Sequence, residues 1–322
     1  MSAVEKVRWG IAATGGIAAA FVDGLHQTDD AEVVAVCSRT PERAEAFARD
    51  HGIARHHGSY EALAADPDVD VVYVATPHSR HCADSRLYLE AGKHVLCEKP
   101  LAVDQRQTAR MVATARANNR FLMEALRSRF LPAYVELDRV LASGRIGEVR
   151  LVEADFGFAA PFDPTHRLFD PALGGGATLD LGVYPVQLAH LVLGPPDQVR
   201  AVGHRGRTGV DEQVAAVMHH ARGAVAVVKA AVSTSMGCTA TITGTEGTIR
   251  LPAFMHCPES LTVQDRSGTE VIETPIEGQG LRYQVAEVHR CIAEGLLESP
   301  RMSHAESCAI AGTLDALLDQ VV

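Results

Sequence analysis

The sequence lacks the features that mark secreted, membrane-spanning or zinc-stabilised proteins. Its seven cysteines are an odd number, lie far apart and include no Cys-x-x-Cys pair. A disulfide framework or a cysteine zinc site is therefore not expected, and a reducing cytoplasm is the predicted location. No apolar run reaches the roughly 18 residues that cross a bilayer, and the N-terminus lacks the apolar run of a signal peptide.

Clustered positive charge is also absent. The chain has 30 Lys and Arg against 40 Asp and Glu, a formal net charge of -10, with no basic run. Binding to nucleic acid or to an anionic membrane needs a clustered positive surface, so neither partner is expected. The 322 residues, of which 47% are hydrophobic and 22% charged, are typical of a globular protein. This length exceeds what one core usually covers and predicts two domains.

The N-terminal part alternates short apolar runs with amphipathic stretches. Predicted strands cover residues 7–13, 32–38, 69–75 and 94–97. A helix is predicted over 17–27, and another begins where Thr40 caps and Pro41 opens it. Strands that are apolar on both faces and separated by helices indicate a parallel sheet covered on both sides. Because βαβ units are right-handed, the predicted architecture is the doubly wound Rossmann fold.

After about residue 121, strand-like segments follow one another through short turns. They cover residues 147–157, 199–203, 214–219, 224–232, 238–244 and 247–251. Tight turns between consecutive strands predict an open-faced, mainly antiparallel sheet, and two closing helices complete an α+β domain. The predicted division is a cofactor-binding domain over 1–125 and a domain for substrate binding and oligomerisation over 126–322. A homodimer or higher oligomer is expected through outward apolar residues of this sheet, such as Val225, Val227 and Ala231.

The first turn carries a dinucleotide-binding pattern. Between the first strand and the first helix the chain reads WGIAATGGIAAA, and the pattern G-x-G-x-x-G/A places Ala13, Gly15 and Ala18 at its three positions. The central glycine allows a pyrophosphate to approach the backbone, and the helix N-terminus offers N–H groups to an anion. A glycine-rich turn without a ligand is the alternative. The cofactor-binding residues expected here are Ala13, Gly15, Gly16 and Ile17.

The end of the second strand indicates which dinucleotide is bound. An NAD site usually has Asp or Glu about 20 residues after the glycine loop, bound to the ribose hydroxyls. This strand instead ends Cys37-Ser38-Arg39-Thr40, without an acid. Ser38 can donate to a phosphate and Arg39 can form a charge-assisted pair with it, so NADP is predicted over NAD. A solvated loop arginine is the alternative for Arg39.

Two longer segments are more specific. The first, VVYVATPHSRHCADSRLYLEAGKHVLCEKPL, ends with Glu98-Lys99-Pro100 and Leu101, and the second contains GGGATLDLGVY. Together with the N-terminal loop and Met123-Glu124-Ala125 they make the chain resemble the glucose-fructose oxidoreductase/inositol dehydrogenase (Gfo/Idh/MocA) family over essentially its whole length. Within that family the pattern is nearest the dimeric dihydrodiol dehydrogenases, the NADP-dependent D-xylose dehydrogenases and the sugar ketoreductases.

The resemblance implies an active site. The lysine of Glu-Lys-Pro and the Asp and Tyr of the second segment carry over to Lys99, Asp180 and Tyr184, which would surround the nicotinamide and the substrate. Many members have histidine in place of Tyr184, and the tyrosine matches the dihydrodiol-dehydrogenase and ketoreductase side of the family. The loops after the third and fourth long strands imply further cofactor contacts. These residues are Thr76, Pro77, His81, Glu98 and Lys99.

Three further residues are expected to contact the substrate in addition to Lys99, Asp180 and Tyr184. They are Arg129, Phe156 and Arg167, with ordinary packing as the alternative. No metal is expected, since His78 and His81 lie three residues apart but have no accompanying carboxylate or cysteine cluster.

The predicted chemistry follows from the residue types. Hydride transfer between a nicotinamide and a C–OH carbon also moves one proton on the oxygen. A phenol with a pKa of about 10 is only about 0.1% ionised at pH 7, and a neighbouring ammonium favours the phenolate. Tyr184 is therefore the predicted general acid/base, assisted by Lys99, and the four-residue spacing would put Asp180 on the same helix face as Tyr184.

The predicted protein is an NADP(H)-dependent oxidoreductase that acts on a sugar, a polyol or a cyclic diol. A catalytically silent NADP-binding protein that senses redox state is the alternative from another class. A sugar-binding protein without cofactor does not fit the glycine loop.

Overall fold

The computed structural model describes residues 6–322, and its contacts divide the chain into two compact units. The first unit comprises residues 6–102, 106–130 and 277–307, and the second comprises 103–105, 131–276 and 308–322. The chain thus returns to the first unit after residue 276, whereas the sequence predicts a single boundary at about residue 125. An amphipathic helix pattern shows that one face is buried but not which unit buries it, so this return could not be read from the sequence.

The first unit is built on a parallel sheet. Its strands are β1 (Val7–Ala12), β2 (Ala31–Cys37), β3 (Arg55–His57), β4 (Val71–Val74), β5 (His94–Glu98) and β6 (Leu122–Ala125). Their order is β3-β2-β1-β4-β5-β6, and every neighbouring pair is parallel. The strands run outward in both directions from β1 and β4, which is the doubly wound topology. The predicted Rossmann fold is confirmed.

Helices connect the strands and close the chain. In chain order they are α1 (Gly16–His26), α2 (Pro41–Asp50), α3 (Tyr60–Ala64), α4 (His81–Glu90), α5 (Gln105–Ala117), α6 (Pro132–Ala142), α7 (Val183–Leu193), α8 (Leu281–Ala293) and α9 (His304–Leu318). The ring of Phe21 stacks on Tyr73 with centroids 3.7 Å apart, and Trp9 Nε1 donates to His289 Nε2 of α8 at 3.0 Å. The buried bond between Trp9 and His289 explains why α8 belongs to the first unit. No helix within residues 6–322 is both long enough and apolar enough to cross a membrane.

The second unit is built on a mainly antiparallel sheet. Its strands are β7 (Val149–Gly157), β8 (Gln198–Arg205), β9 (Asp211–His219), β10 (Val225–Ala231), β11 (Ala240–Gly244), β12 (Gly247–Leu251), β13 (Ser260–Asp265) and β14 (Gly268–Glu273). Their order is β14-β13-β12-β11-β7-β10-β9-β8, and only β7 and β10 pair in parallel. The predicted open sheet is confirmed. The β13–β14 hairpin was not predicted, because only Leu261 and Val263 of β13 are buried and no apolar run marks it.

The outer face of this sheet carries several valines. Val202 is 73% exposed and Val217 50% exposed, and Val217 lies opposite the half-buried Val227 across the β9–β10 pair. Ala231 is fully buried. The prediction that Ala231 points outward is therefore wrong, because the alternation along β10 breaks at its last two residues, which are both buried.

Candidate active site

The first part of the candidate site is the carboxyl edge of the six-stranded sheet. Parallel strands end at the same edge, and the register places Ala12 opposite both Cys37 and Val74, with Val74 opposite Cys97. The residues that follow these strands are therefore neighbours at the place where open α/β sheets bind ligands. They include Ala13, Ser38, Thr76 and Lys99, so the structure brings together the cofactor-binding positions predicted from separate motifs.

The glycine loop is open to an anion. Gly15 is the N-cap of α1, and a Cβ atom added at Gly15 or Gly16 would meet nothing within 4 Å. Ile17 is 41% exposed, and the first turn of α1 contains no acidic residue. Free N–H groups at a helix N-terminus attract anions, and an acidic side chain there would repel them. These residues fit the pyrophosphate of a dinucleotide.

Ala13 has a φ of 112°. It occupies the first glycine position of the dinucleotide pattern, and its N–H donates to the Cys37 carbonyl at 3.1 Å. The chain thus keeps the backbone conformation that favours glycine while carrying a side chain that disfavours it.

Replacing Ala13 by glycine should raise the free energy of unfolding by about 1 kcal/mol, because it relieves this backbone strain. Urea unfolding of the two proteins measures the difference. Ala18→Gly is the matched control, since Ala18 is buried inside α1 with helical geometry, and it should lower stability by about 1 kcal/mol. A lower free energy of unfolding in Ala13→Gly would show that the backbone at Ala13 is not strained.

Ser38 and Arg39 follow β2 directly. Ser38 is buried, and its Oγ accepts the Thr40 N–H at 3.3 Å, whereas Arg39 is exposed. Pro41 begins α2 as predicted, but the Thr40 side chain makes no capping bond. A hydroxyl and an exposed guanidinium are groups that can donate to a phosphate, and this strand end carries no acid.

The Thr76–Pro77 loop also fits a bound group. Thr76 Oγ1 is buried and has no hydrogen-bond partner among the described residues, which a cofactor atom would supply. His81 is fully buried, with Nε2 2.8 Å from the Thr76 carbonyl oxygen and Nδ1 2.8 Å from that of Pro100. Each ring nitrogen lies within hydrogen-bond distance of a backbone carbonyl, so His81 stands between these two loops, and its predicted contact with the cofactor stays a prediction.

The His78 and His81 rings lie 5.6 Å apart. No group of three or more His, Cys, Asp or Glu side chains suited to a metal ion occurs in the described part of the chain.

Glu98 and Lys99 end β5 and begin the next loop. The Glu98 carboxylate accepts the Tyr73 hydroxyl at 2.5 Å and the Lys99 N–H at 3.2 Å. Desolvation raises the pKa of Glu98, although the bond from Tyr73 and the charge of Lys99 oppose the rise. Lys99 is half-buried and precedes a cis peptide to Pro100. The Glu98 side chain is thus used to hold its own strand end, and a direct cofactor contact by Glu98 stays a prediction.

Arg129 belongs to the first unit and is buried. Its guanidinium pairs with Glu306 at 2.5 Å, and its carbonyl accepts from Arg301 at 3.0 Å. These contacts give Arg129 a structural role between the end of β6 and α9. Its predicted contact with substrate stays a prediction.

The second part of the candidate site lies in the second unit, where Arg167 and Asp180 come together. Arg167 Nη1 donates to Asp180 Oδ1 at 2.8 Å, and the Asp180 side chain is only 4% exposed. Asp180 lies in a π-helical turn, Thr178–Gly182, directly before α7. The prediction that Asp180 and Tyr184 have regular α-helical spacing is therefore wrong, since a π turn repeats after more residues. Such turns often occur at functional sites.

Two of the three glycines before this turn, Gly175 and Gly176, allow close packing. A Cβ on Gly176 would lie 2.1 Å from Asp211 Oδ1, and one on Gly175 would lie 2.8 Å from the Arg167 carbonyl oxygen. Asp211 Oδ2 in turn accepts both the N–H and the hydroxyl of Thr178 at 2.6 Å, and burial raises the pKa of Asp211. Asp211 thereby anchors the turn that carries Asp180. Sequence reasoning missed this residue, because no local signal links it to a turn 33 residues earlier.

Tyr184, at the start of α7, lies in an aromatic cluster. Its ring centroid is 5.2 Å from that of Phe156 on β7 and 4.9 Å from that of His256, and Phe156 and His256 meet nearly at right angles at 4.7 Å. The structure thus joins the predicted residues Phe156 and Tyr184. His256, in the loop after β12, was missed because nothing in its sequence neighbourhood distinguishes it from other surface histidines.

The fold and the carboxyl edge define a Rossmann-type oxidoreductase with a second, α+β domain. Family models agree: residues 7–126 match the oxidoreductase family with an NAD-binding Rossmann fold, and residues 134–250 match the GFO/IDH/MocA C-terminal domain. The chain belongs to the GFO/IDH/MocA family of oxidoreductases.

Two kinds of relatives cover nearly the whole chain. Trans-1,2-dihydrobenzene-1,2-diol dehydrogenase from Danio rerio is 41% identical over 98% of this chain and 97% of its own, and the Bos taurus enzyme is 38% identical over 96% and 95%. Among solved structures, a 3-ketoreductase from Actinomadura kijaniata with NADP and TDP-benzene is 28% identical, with a TM-score of 0.88 and 98% coverage of both chains. An aldose-aldose oxidoreductase from Caulobacter crescentus is 26% identical, with a TM-score of 0.89, over 98% of this chain and 97% of its own.

Proposed function

We propose that the protein is an NADP(H)-dependent oxidoreductase that transfers a hydride between the nicotinamide and a CH–OH or C=O carbon of a cyclic diol, a polyol or a sugar, in a reducing cytoplasm. The observation that carries the proposal is the carboxyl edge of the Rossmann sheet. There the open glycine loop, Ser38 with Arg39, the orphaned Thr76 hydroxyl and Lys99 follow neighbouring strands.

The proposed cofactor site follows from these positions. The α1 N-terminus at Gly15 and Gly16 holds the pyrophosphate, and Arg39 pairs with the 2′-phosphate of NADP. The Thr76 hydroxyl binds the nicotinamide half. When bound, the cofactor supplies hydride acceptance and donation, and the chain supplies binding, orientation and proton transfer.

Replacing Arg39 by alanine should raise KM for NADP about 10- to 100-fold, since a hydrogen bond to a charged group contributes about 1.5–3 kcal/mol. NAD kinetics should hardly change, because NAD lacks the 2′-phosphate. Steady-state kinetics with both cofactors measures the contrast. Arg43→Ala, one turn into α2 from Arg39, is the control for lost positive charge. Equal losses with NADP and NAD would show that Arg39 supports the fold.

The proposed proton carrier is Tyr184. Its phenolate oxygen takes the proton from the substrate C–OH during oxidation, the resulting hydroxyl returns it during reduction, and Lys99 assists by favouring the phenolate. Asp180, oriented by Arg167, accepts a hydrogen bond from a second substrate hydroxyl. Solved variants of the Actinomadura ketoreductase include one tyrosine-to-phenylalanine and one lysine-to-alanine change, and we infer roles for the same residue types here.

The ring cluster supports a cyclic diol as the first substrate to test. Phe156 and His256 pack against the ring of Tyr184, the proposed proton carrier, and a ring-shaped substrate can pack on such an aromatic cluster. The relatives near 40% identity are named as dehydrogenases of trans-1,2-dihydrobenzene-1,2-diol.

A panel of cyclic diols, inositols and aldoses, each with NADP or NAD, tests the proposal through the absorbance of reduced nicotinamide. We expect turnover with at least one diol or sugar and a clear preference for NADP. The reverse assay uses NADPH with keto-sugars. Tight NADP binding without turnover of any panel member would favour the redox sensor instead.

We further propose a homodimer through the outer face of the second unit's sheet. Exposed apolar patches mark interfaces, and Val202, Val217 and Val227 share this face. Light scattering at micromolar concentration should give at least twice the 34.4 kDa chain mass, and Val217→Asp should shift the mass towards one chain. Val135→Asp is the control, since Val135 is 47% exposed but lies on helix α6 and not on a strand of this sheet. A wild-type protein of one chain would contradict the dimer.

A further inference from the structure

Buried side chains hold the loop that carries Lys99 by bonding to its backbone N–H and C=O groups. Three consecutive residues each use a backbone polar group to bind an ionisable side chain. The Lys99 N–H donates to Glu98 at 3.2 Å, the Pro100 carbonyl faces His81 Nδ1 at 2.8 Å, and the Leu101 N–H donates to Glu124 Oε1 at 3.0 Å. The three side chains come from different elements, β5, α4 and β6, so the loop is fixed from three directions.

Each holding side chain is itself fixed by a second partner. Tyr73 donates to Glu98 at 2.5 Å, and the Ser307 hydroxyl of α9 donates to Glu124 Oε2 at 2.7 Å. His81 Nε2 lies 2.8 Å from the Thr76 carbonyl oxygen, so the ring stands between the Lys99 loop and the Thr76 loop and, when neutral, donates its single N–H to one of the two carbonyls. A buried carboxylate with two fixed donors has no freedom to swing, and it transmits its position to the groups that it binds.

Of the three side chains that hold the loop, Glu124 is the most deeply placed carboxylate with both oxygens bound. It is 2% exposed, and both oxygens of its carboxylate are bound. Burying a carboxylate costs free energy, and here the bonds from Ser307 and Leu101 and the charge of Arg129 only partly offset that cost, so burial still raises the pKa of Glu124. An apolar residue would fill this position at lower cost, unless the Leu101 N–H has to be held.

We propose that Glu124 and His81 are positioning residues that set the place of Lys99. Glu124 fixes the far end of the Lys99–Leu101 loop, and His81 fixes its middle against the Thr76 loop. The consequence for catalysis rests on the proposed function of Lys99, whereas the holding of the loop can be measured without any substrate.

Two variants of Glu124 form a matched pair. In Glu124→Gln the amide oxygen can accept the Leu101 N–H and the amide nitrogen can donate to the Ser307 oxygen, so both bonds survive. Glu124→Leu has a similar size but leaves the Leu101 N–H unbonded. A misplacement of 1 Å can lower rate about 10²-fold. We expect Glu124→Leu to lose kcat by about 10- to 100-fold with little change in cofactor KM, and Glu124→Gln to stay near wild type.

The position of Lys99 can be followed directly, because the chain has only four lysines, Lys6, Lys93, Lys99 and Lys229. Brief treatment with an acetylating reagent, followed by mass spectrometry of peptides, compares the labelling rate of Lys99 with that of Lys229 on β10. Amine reactivity follows local environment. We expect the Lys99-to-Lys229 ratio to change several-fold in Glu124→Leu and to remain unchanged in Glu124→Gln.

Ser307→Ala and His81→Gln extend the test if Glu124→Leu does not fold. Ser307→Ala removes one of the two donors that fix Glu124, and His81→Gln weakens the tie to the Thr76 loop, so each should change the labelling ratio in the same direction. An unchanged ratio in all folded variants overturns the proposal. A changed ratio in a protein that turns over no substrate supports the holding of the loop and refutes the proposed function instead.

Discussion

Tyr184→Phe should lower kcat by about 10²- to 10⁴-fold, the usual contribution of a general acid–base group. The change removes the ionisable hydroxyl and keeps the ring, so its packing against Phe156 and His256 should survive. NADP binding, measured by quenching of intrinsic fluorescence or by calorimetry, should be nearly unchanged. Steady-state kinetics with the best substrate of the panel measures kcat.

Lys99→Ala should lose kcat on the same scale. If Lys99 acts only through Tyr184, the double variant should be little worse than the poorer single variant. The second change then removes a group that has already lost its role. Losses that multiply would instead mean independent roles, with Lys99 binding substrate. Near-full kcat in Tyr184→Phe would contradict the assignment of Tyr184 and point to Asp180 as the proton carrier.

Glu124→Gln should remove a large pH dependence from the stability of the protein. Burial raises the pKa of Glu124 to about 7, from 4.5 for the free side chain. As pH rises between these values, the unfolded chain loses this proton while the folded chain keeps it, so folding stability falls. The difference is worth about 3 kcal/mol once pH exceeds both values. Glutamine does not titrate and keeps the bonds to Leu101 and Ser307.

Urea unfolding of the wild type and Glu124→Gln at about pH 5 and about pH 8 measures this effect. The stability of the variant relative to the wild type should increase by up to about 3 kcal/mol across the interval. Glu136→Gln is the control. Glu136 forms an ion pair with Arg139 on helix α6, and this pairing lowers the pKa of Glu136. A stability difference that stays constant with pH would show that Glu124 ionises normally.

The Rossmann part of the fold was predictable because its signals are local. Val7–Ala12, the turn at Gly15 and the strand Ala31–Cys37 each show their type in a window of about ten residues. The parallel register then places Ser38, Thr76 and Lys99 at one edge without further information. This is why cofactor positions read from separate motifs come together in the structure.

The parts that were not predicted depend on contacts between distant residues. Asp211 anchors the turn of Asp180 from 33 residues away, and His256 reaches Tyr184 from the loop after β12. The return of α8 to the first unit depends on Trp9 and His289, which are 280 residues apart. In each case the local sequence is compatible with several partners, and only tertiary packing selects one.

Deuterium labelling of the substrate directly tests whether a hydride passes from the substrate carbon to the nicotinamide. The best diol or sugar of the panel is prepared with deuterium on the carbon that is oxidised, and the reduced nicotinamide is isolated after turnover with NADP. We expect the deuterium to appear in the NADPH, and Tyr184→Phe to slow its appearance about 10²-fold or more. Oxidised product formed without deuterium in the nicotinamide would contradict hydride transfer.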